Sequence, residues 1–495
     1  MARPAGAMSK EHAHATRVGN RRVAADVGIQ LGGQVINIAL GVVTTVVIVR
    51  ALEATRYGEW ATLLAAIELI AMVGNLGLET VAIRLAAQEP EREGAWVGAA
   101  TSLRLAISAP MLAVFVGVLA LIASDSEMVT TGLVLSLGFF TTAISTLRIV
   151  FRLHVRNHVT VAFTTLNSVL WAGAVIAIAA TDGSMVAFAV AFMAISLLVQ
   201  GGQALIALRT IQVHWKGARE LWPRLLGIGI SVGIAATLTF AYGRIDQILV
   251  YELAGDSAEV GVYAAMYKIL DNAGFVPMAL MVTLFPIMAG LYPADRPRLR
   301  RMMQVAIDYL TIVALGGLAL TIAAAEPIIE LLYGADYVSG ATVLTILVAA
   351  FVPICIGNVA GNMVVAMDLQ RTYIWFAVAG LAVNVPLNLL LIPEFGIEAA
   401  AWITLLTELV VVSLSLAMVL RRIEMRLSLR HIGLALIAAT VSGLAVWGLR
   451  QAGAGAIVLV LAMTALYPLL LLATRALDLD QLRRLLRDRS AKEAT

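Results

Sequence analysis

Cysteine is almost absent from this 495-residue sequence, and charge is scarce. The single cysteine, Cys355, excludes a disulfide framework and a cysteine-based metal site. Charged residues make up 14% of the chain, against roughly 25% in soluble proteins, which excludes a soluble enzyme, a nucleic-acid-binding module and a disordered scaffold. A phosphate-binding Walker loop is also missing, so the chain by itself is not an ATP-driven pump.

Long apolar runs stand where the charge is missing. Apolar residues account for 60% of the chain, and the mean hydropathy is +0.90. A helix needs about 20 apolar residues to cross a bilayer, and fourteen such stretches occur. The sequence therefore predicts an all-α integral membrane protein with fourteen transmembrane helices. Their limits are 23–49, 57–83, 97–123, 127–147, 159–180, 184–208, 224–250, 259–290, 301–325, 341–366, 372–392, 396–420, 431–449 and 453–474.

Basic residues alternate along the chain with these spans. If the N-terminus is placed in the cytoplasm, the cytoplasmic segments contain 29 of the 35 Lys and Arg residues. The opposite connections are mainly acidic. Because cytoplasmic loops carry an excess of Lys and Arg, this alternation predicts a multi-pass protein with both termini in the cytoplasm.

A weak internal repeat relates the two halves of the chain. Aligning Gly58 with Gly261 places Glu68 opposite Asp271. Spans two and eight have the same orientation, so the repeat predicts two pseudo-symmetric six-helix lobes followed by two C-terminal helices. The predicted regions are a cytoplasmic tail at 1–22, an N-lobe at 23–208, a C-lobe at 224–420, the two further helices at 431–474 and an amphipathic cytoplasmic tail at 475–495.

The two tails have different compositions. Residues 1–22 are polar, which predicts a segment without regular structure, and the first span is too long and too polar to be a cleaved signal peptide. Residues 478–489 are typical of a basic amphipathic helix. Such a helix rests on anionic headgroups or binds a partner protein.

Charged residues lie inside several predicted spans, where each costs roughly 2.5–3.5 kcal/mol at the bilayer centre. Arg244 and Asp246 lie in the outer half of span seven. Lys268 and Asp271, three residues apart, share one face of span eight. Such residues either neutralise one another or line a hydrated, anion-friendly cavity, and both interpretations can hold together.

The N-terminal half carries a similar set. Glu68 has a matching depth in span two, with Asn75 and Glu79 on the same face of the predicted helix. Arg104 lies in the inner third of span three, from which it reaches either a cavity or the membrane surface. Arg50 is predicted at the outer mouth.

Five short motifs occur in a characteristic order, and the first departs from the usual pattern because Glu53 and Ala54 stand where Gly-Pro is common. The motifs are Arg50-Ala-Leu-Glu-Ala-Thr-Arg-Tyr57-Gly58; Asn75-Leu-Gly77-Leu; Arg244-Ile-Asp246-Gln247 followed by Val260-Gly261-Val-Tyr263 and Phe285-Pro286; Leu332-Tyr333-Gly334-Ala-Asp-Tyr337; and Asn384-x-x-x-Asn388 with Ile392-Pro393-x-x-Gly396. From about residue 20 to 475, the sequence resembles the polysaccharide biosynthesis proteins, Wzx-type flippases of the multidrug/oligosaccharidyl-lipid/polysaccharide exporter superfamily.

The resemblance implies a V-shaped bundle of two lobes around a central cavity in a bacterial or archaeal plasma membrane. It implies a non-enzymatic flippase that moves an undecaprenyl-pyrophosphate-linked oligosaccharide to the outer leaflet by alternating access. Arg244, Lys268, Arg104 and Arg50 are the predicted substrate contacts. Asp246, Asp271 and Glu68 are the predicted charge-pairing or ion-coupling residues.

The expected partners are the lipid-linked oligosaccharide, the bilayer, a coupling cation and glycan polymerases or glycosyltransferases, with no cofactor, no metal and no nucleic acid. Three alternatives stay open. A lipid II flippase and a drug/cation antiporter belong to the same superfamily, although antiporters usually have twelve helices. A membrane glycan polymerase or ligase is less compatible, because the connections leave no room for a large outer catalytic loop.

Overall fold

The computed structural model describes residues 5–154, 157–242, 244–254 and 257–476. Side chains are described from residue 32 onward except at 155–157, 231–232, 234–236, 238–243, 255–257 and 370. This part of the chain contains seventeen α-helices and no β-strand. The first nine helices are α1 (Ala5–Asn75), α2 (Leu78–Gln88), α3 (Glu93–Ile122), α4 (Ser126–Ser136), α5 (Gly138–Ser145), α6 (Ile149–Leu153), α7 (Asn157–Ala179), α8 (Met185–Thr210) and α9 (Trp222–Tyr242). The remaining helices are α10 (Ile245–Leu253), α11 (Ser257–Ala273), α12 (Phe275–Leu291), α13 (Arg296–Tyr333), α14 (Ala341–Ala366), α15 (Gln370–Arg422), α16 (Arg430–Gln451) and α17 (Ala456–Ala473).

Eleven helical segments of the described residues are long and apolar enough to cross a membrane. Two of them, Gly32–Gln88 and Arg371–Arg422, contain 57 and 52 residues, more than twice the roughly 20 residues that one crossing needs. Each is interrupted by a residue with non-helical backbone angles, Glu53 and Gly396. The predicted class, an all-α multi-pass membrane protein, is confirmed, and the number fourteen stays a prediction.

The surface of the bundle carries many large apolar side chains. Leu121 is 85% exposed, Trp375 71% and Leu390 69%. Soluble monomers rarely expose apolar surface on this scale, whereas a bilayer covers it without cost. The exposed apolar side chains are therefore those expected to contact lipid.

The helices form two compact units. The first comprises Met1–Ala51 and Ala66–Ala236, and the second comprises Leu52–Ala65 and Thr237–Thr495. The boundary between the units falls inside α9, and residues 52–65 pack with the second unit. The lobes predicted at 23–208 and 224–420 stay a prediction.

Unit 1 has a core around Trp96, which is fully buried. At the chain connection beside it, Trp96 Nε1 donates to Glu89 Oε2 at 3.2 Å, and Arg224 donates to Glu89 Oε1 at 2.8 Å. The hydrogen bond from Arg224 holds the pKa of the Glu89 carboxyl below its usual range. This cluster ties the connection after α2 to the start of α9.

In unit 2, the last two helices pack on α13. Gly443 of α16 lies against Ala319 of α13, and His431 Nδ1 is 3.0 Å from Asp308 Oδ2. Tyr467 of α17 donates its hydroxyl to the carbonyl of Ile312 at 2.8 Å. The residues predicted as a separate pair of helices, 431–474, are thus held in unit 2 by both apolar and polar contacts.

The structure corrects three sequence predictions. Residues 5–22 continue α1 instead of lacking regular structure, because adding residues to an existing helix is far easier than nucleating one. Span two, predicted as one helix over 57–83, is broken at Leu76 and Gly77. Span seven is divided between α9 and α10. The basic helix predicted over 478–489 lies outside the described residues.

Candidate functional site

The break between α1 and α2 shapes the candidate site of unit 1. Leu76 and Gly77 have φ angles of 45° and 62°, in the left-handed region that glycine adopts readily and leucine does not. Two glycines of α9 pack on this break: a Cβ added to Gly229 would lie 2.6 Å from the Leu76 carbonyl oxygen, and one added to Gly233 would lie 2.5 Å from Leu76 Cα. Because Gly229 and Gly233 have no side chains, the backbone of α9 contacts the backbone at Leu76, where span two is interrupted.

Arg104 of α3 lies beside this break. Its Nη1 donates to Asn75 Oδ1 at 2.8 Å, and its side chain is half-buried. No carboxylate among the described residues forms a direct ion pair with Arg104. Because an amide is a neutral acceptor, the hydrogen bond orients the guanidinium without cancelling its charge.

A second charged group lies near Arg104. Glu79, in the first turn of α2, accepts from Arg148 at 2.8 and 3.2 Å and has Arg152 at 3.2 Å. Two arginines therefore surround one carboxylate, and with Arg104 the group has an excess of positive charge. The sequence placed Glu79 on the same helical face as Glu68, but the break at Leu76 and Gly77 separates the two.

Arg244 immediately precedes α10 in unit 2, at the interruption of span seven. Its Nη1 lies 2.9 Å from Asp271 Oδ2 on α11, and its guanidinium carbon lies 5.6 Å from the centre of the Tyr267 ring. Both side chains of the ion pair retain about a quarter of their exposure. The pair therefore keeps one side accessible, and Tyr267 covers another side by a cation–π contact.

Asp246, two residues after Arg244, lies in a different environment. Only 1% of it is exposed. The hydroxyl of Tyr263 donates to Asp246 Oδ2 at 2.6 Å, and that of Thr404 donates at 3.3 Å. Asp246 Oδ1 is buried and has no hydrogen-bond partner among the described residues. A buried carboxylate with one unsatisfied oxygen is costly, and a bound proton or cation removes that cost.

Two buried asparagines extend this polar cluster along α15. Asn384 and Asn388 are 2% and 0% exposed. Asn388 Nδ2 donates to Asn384 Oδ1 at 2.9 Å, while Asn388 Oδ1 is buried and unpartnered. Asn384 also contacts Thr407, three residues after Thr404. Unit 2 thus holds two unsatisfied buried oxygens, one on Asp246 of α10 and one on Asn388 of α15.

The other predicted site residues have exposed side chains. Lys268 and Glu68 are exposed on α11 and α1, and Arg50 is exposed on α1. Lys268 and Asp271 lie on the same helix, as the spacing predicts, and it is Arg244 that pairs with Asp271. The described residues contain no group of three His, Cys, Asp or Glu side chains able to hold a metal ion.

Sequence reasoning missed the partners that hold these charges. It did not single out Thr404 or Arg148, and it included Asn384 and Asn388 only as part of a motif of the resembled family. Gly77 was a weak local signal of the interruption, because an isolated glycine is tolerated inside a helix at a small cost.

Comparisons with known proteins place this arrangement in a family. Residues 23–291, more than half of the chain, match the family described as polysaccharide biosynthesis protein. The probable flippase AglR of Haloferax volcanii is 26% identical over 171 residues. That match covers 34% of this chain and 36% of AglR, so the chain aligns with about a third of the length of this relative.

Solved structures show the same fold. The lipid II flippase MurJ in an inward closed conformation has a TM-score of 0.72 at 11% identity, over 90% of this chain and 98% of MurJ. An inward-facing MATE multidrug resistance transporter has a TM-score of 0.63 at 15% identity, over 78% of this chain and 94% of the transporter. These solved structures show the fold that the chain adopts. Because the family model matches more than half of the chain, the chain belongs to the polysaccharide biosynthesis protein family.

Proposed function

We propose that this protein is a flippase that moves an undecaprenyl-pyrophosphate-linked oligosaccharide from the cytoplasmic to the outer leaflet by alternating access. The observation that carries the proposal is Arg104, a half-buried cation held by the neutral amide of Asn75. Its charge is left for an anionic ligand. Moving an unpaired diphosphate into hydrocarbon would cost tens of kcal/mol, and charge-assisted hydrogen bonds replace the lost water.

Each unit supplies cations to this proposed role. Arg148 and Arg152 surround Glu79 near Arg104, and Arg244 of unit 2 keeps part of its surface accessible while it pairs with Asp271. The pairing stabilises Arg244 when no substrate is bound, and the pyrophosphate competes with Asp271 for the guanidinium. Lys268 and Arg50 are exposed and are proposed as further contacts along the path.

A reconstituted transport assay tests the substrate. Purified protein is placed in proteoliposomes that contain a fluorescent undecaprenyl-pyrophosphate oligosaccharide, and translocation is read from the fraction that an impermeant glycan-cleaving enzyme reaches. Parallel vesicles contain lipid II or a cationic dye. Transport of the oligosaccharide lipid alone supports the proposal, whereas transport of lipid II alone or of the dye alone contradicts it.

We further propose that Asp246 binds the coupling cation, either a proton or a monovalent metal ion. Its Oδ1 is buried and unpartnered among the described residues, and its Oδ2 accepts from the hydroxyl of Thr404. Oxygen atoms of this kind bind hard cations. Binding of one positive charge neutralises the carboxylate and so links ion occupancy to the packing of α10 on α15.

The ion is tested by transport under imposed gradients. A Na⁺ gradient at constant pH and a pH gradient without Na⁺ are applied to the same proteoliposomes. One of the two should drive substrate accumulation, and Asp246→Asn should abolish the response while leaving passive equilibration. The matched control is Glu394→Gln, which changes an exposed acid of α15. Equal responses of Asp246→Asn and wild type contradict the assignment.

A further inference from the structure

The segment Leu52–Ala65, called here the strap, packs as part of unit 2, although the residues on both sides of it belong to unit 1. It contains the bend of α1 at Glu53 and the start of the second predicted span. The chain on both sides of the strap is part of unit 1, so the contacts of the strap itself hold it in unit 2.

Gly261 allows the strap to pack closely against unit 2. A Cβ added to Gly261 of α11 would lie 1.8 Å from the carbonyl oxygen of Ala54, much closer than any real carbon–oxygen contact. Only a residue without a side chain allows α11 to approach the strap backbone this closely. Around this contact, Leu52, Tyr57 and Trp60 are each no more than 6% exposed.

The seated strap has a strained backbone. Glu53 has φ 57° and ψ 173°, a region that is essentially restricted to glycine. Its side chain is exposed, so burial of the carboxylate does not enforce this conformation. The packing of the buried residues Leu52 and Ala54 on either side holds Glu53 in this conformation instead. Such strain persists only while the surrounding contacts hold, and it is relieved when they break.

We propose that the strap is a conformational latch that leaves its seat on Gly261 in each transport cycle, and that the strain at Glu53 sets how readily it leaves. Gly261 is then a positioning residue, because it holds the strap without contacting the substrate. This inference rests on the proposed alternating access only where it predicts that opening of the strap affects transport. The opening of the strap is measurable without any substrate.

Thiol labelling measures this opening. In a Cys355→Ser background, Leu52→Cys places a thiol at a buried strap position, and Thr55→Cys places one at an exposed position three residues further on. An impermeant maleimide is applied to proteoliposomes or to cells. The Leu52→Cys thiol should react at least about tenfold more slowly than the Thr55→Cys thiol, because reaction requires the strap to leave its seat.

Two matched pairs of variants then test the cause. Glu53→Gly relieves the strain and should slow labelling of the Leu52→Cys thiol about fivefold, whereas Glu53→Ala retains a Cβ and should leave the rate within about twofold. Gly261→Ala should speed labelling about tenfold, because its Cβ displaces the strap. The control is Gly290→Ala, a position with open space around it.

The outcomes separate this inference from the proposed substrate. Equal labelling rates in Glu53→Gly and Glu53→Ala, or unchanged labelling in Gly261→Ala, overturn the latch whatever the transport assay gives. If Gly261→Ala does not reach the membrane, the Glu53 pair decides alone. Rates that follow the predicted order support the latch even if a different lipid proves to be the substrate.

Discussion

Replacing Arg104 by Gln tests the proposed substrate contact most directly. The change removes one positive charge and keeps a side chain that can donate to the Asn75 amide. A hydrogen bond between a charged donor and a phosphate contributes about 1.5–3 kcal/mol. At about 1.4 kcal/mol per factor of ten, the loss corresponds to a roughly 10- to 150-fold lower rate of translocation at limiting substrate.

Stability should respond differently from transport in this variant. Arg104 is half-buried and has a neutral partner, so removing the charge also removes its desolvation cost. We expect the thermal unfolding temperature of Arg104→Gln in detergent to equal or exceed that of wild type. A structural arginine would show the reverse, with a lower unfolding temperature and normal transport per folded molecule.

The assay is the proteoliposome translocation measurement at several concentrations of the oligosaccharide lipid. Arg104→Lys keeps the charge and should retain more activity than Arg104→Gln, although Lys lacks the forked geometry of Arg. Arg84→Gln removes an exposed cation of α2 in the same unit and serves as the matched control. Wild-type translocation by Arg104→Gln, or an equal loss in Arg84→Gln, would refute the reasoning.

Three further predictions concern stability. Gly229→Val should lower the free energy of unfolding by about 1–3 kcal/mol, because its side chain would meet the Leu76 carbonyl; Gly227→Val, with open space around it, should change the unfolding temperature little. Glu89 has a lowered pKa in the folded protein. Its contribution to stability is therefore present above its ordinary pKa and is lost as the pH falls through its pKa in the folded protein. Thermal stability measured over an acid titration should depend less on pH in Glu89→Gln than in wild type. His431→Ala removes a partner of buried Asp308 and should cost about 1–3 kcal/mol, detected as faster proteolysis of the connection before α16; unchanged proteolysis would exclude a role of this pair in holding α16.

Several elements could be predicted because their signals are local. The long apolar stretches, such as that of α3, mark membrane helices because about 20 apolar residues suffice for a crossing. Lys268 and Asp271 share a helix face because three residues nearly complete one turn. By contrast, the apolar composition of span two conceals its break at Leu76. That break depends on the close approach of two glycines that lie more than 150 residues later in the chain.

The residue types of the candidate site could be predicted from the sequence, but the hydrogen bonds and ion pairs between them could not. Membrane charge is costly, so Arg104, Arg244 and Asp246 stand out from any apolar background. Which acid meets which cation depends on distances between helices, and Asp271, 27 residues away, is the residue found beside Arg244. Thr404, 158 residues from Asp246, has an ordinary polar side chain that no spacing rule distinguishes.

The amino-acid order is enough to predict a multi-pass helical membrane protein whose charges require partners, because the transfer of each side chain from water to lipid depends mainly on its own chemistry. Three features follow from the folded arrangement alone: Arg104 is oriented by a neutral amide, Asp246 retains an unsatisfied oxygen, and Leu52–Ala65 packs in the second unit. These features depend on residues that are distant along the chain but lie a few ångströms apart in the folded protein.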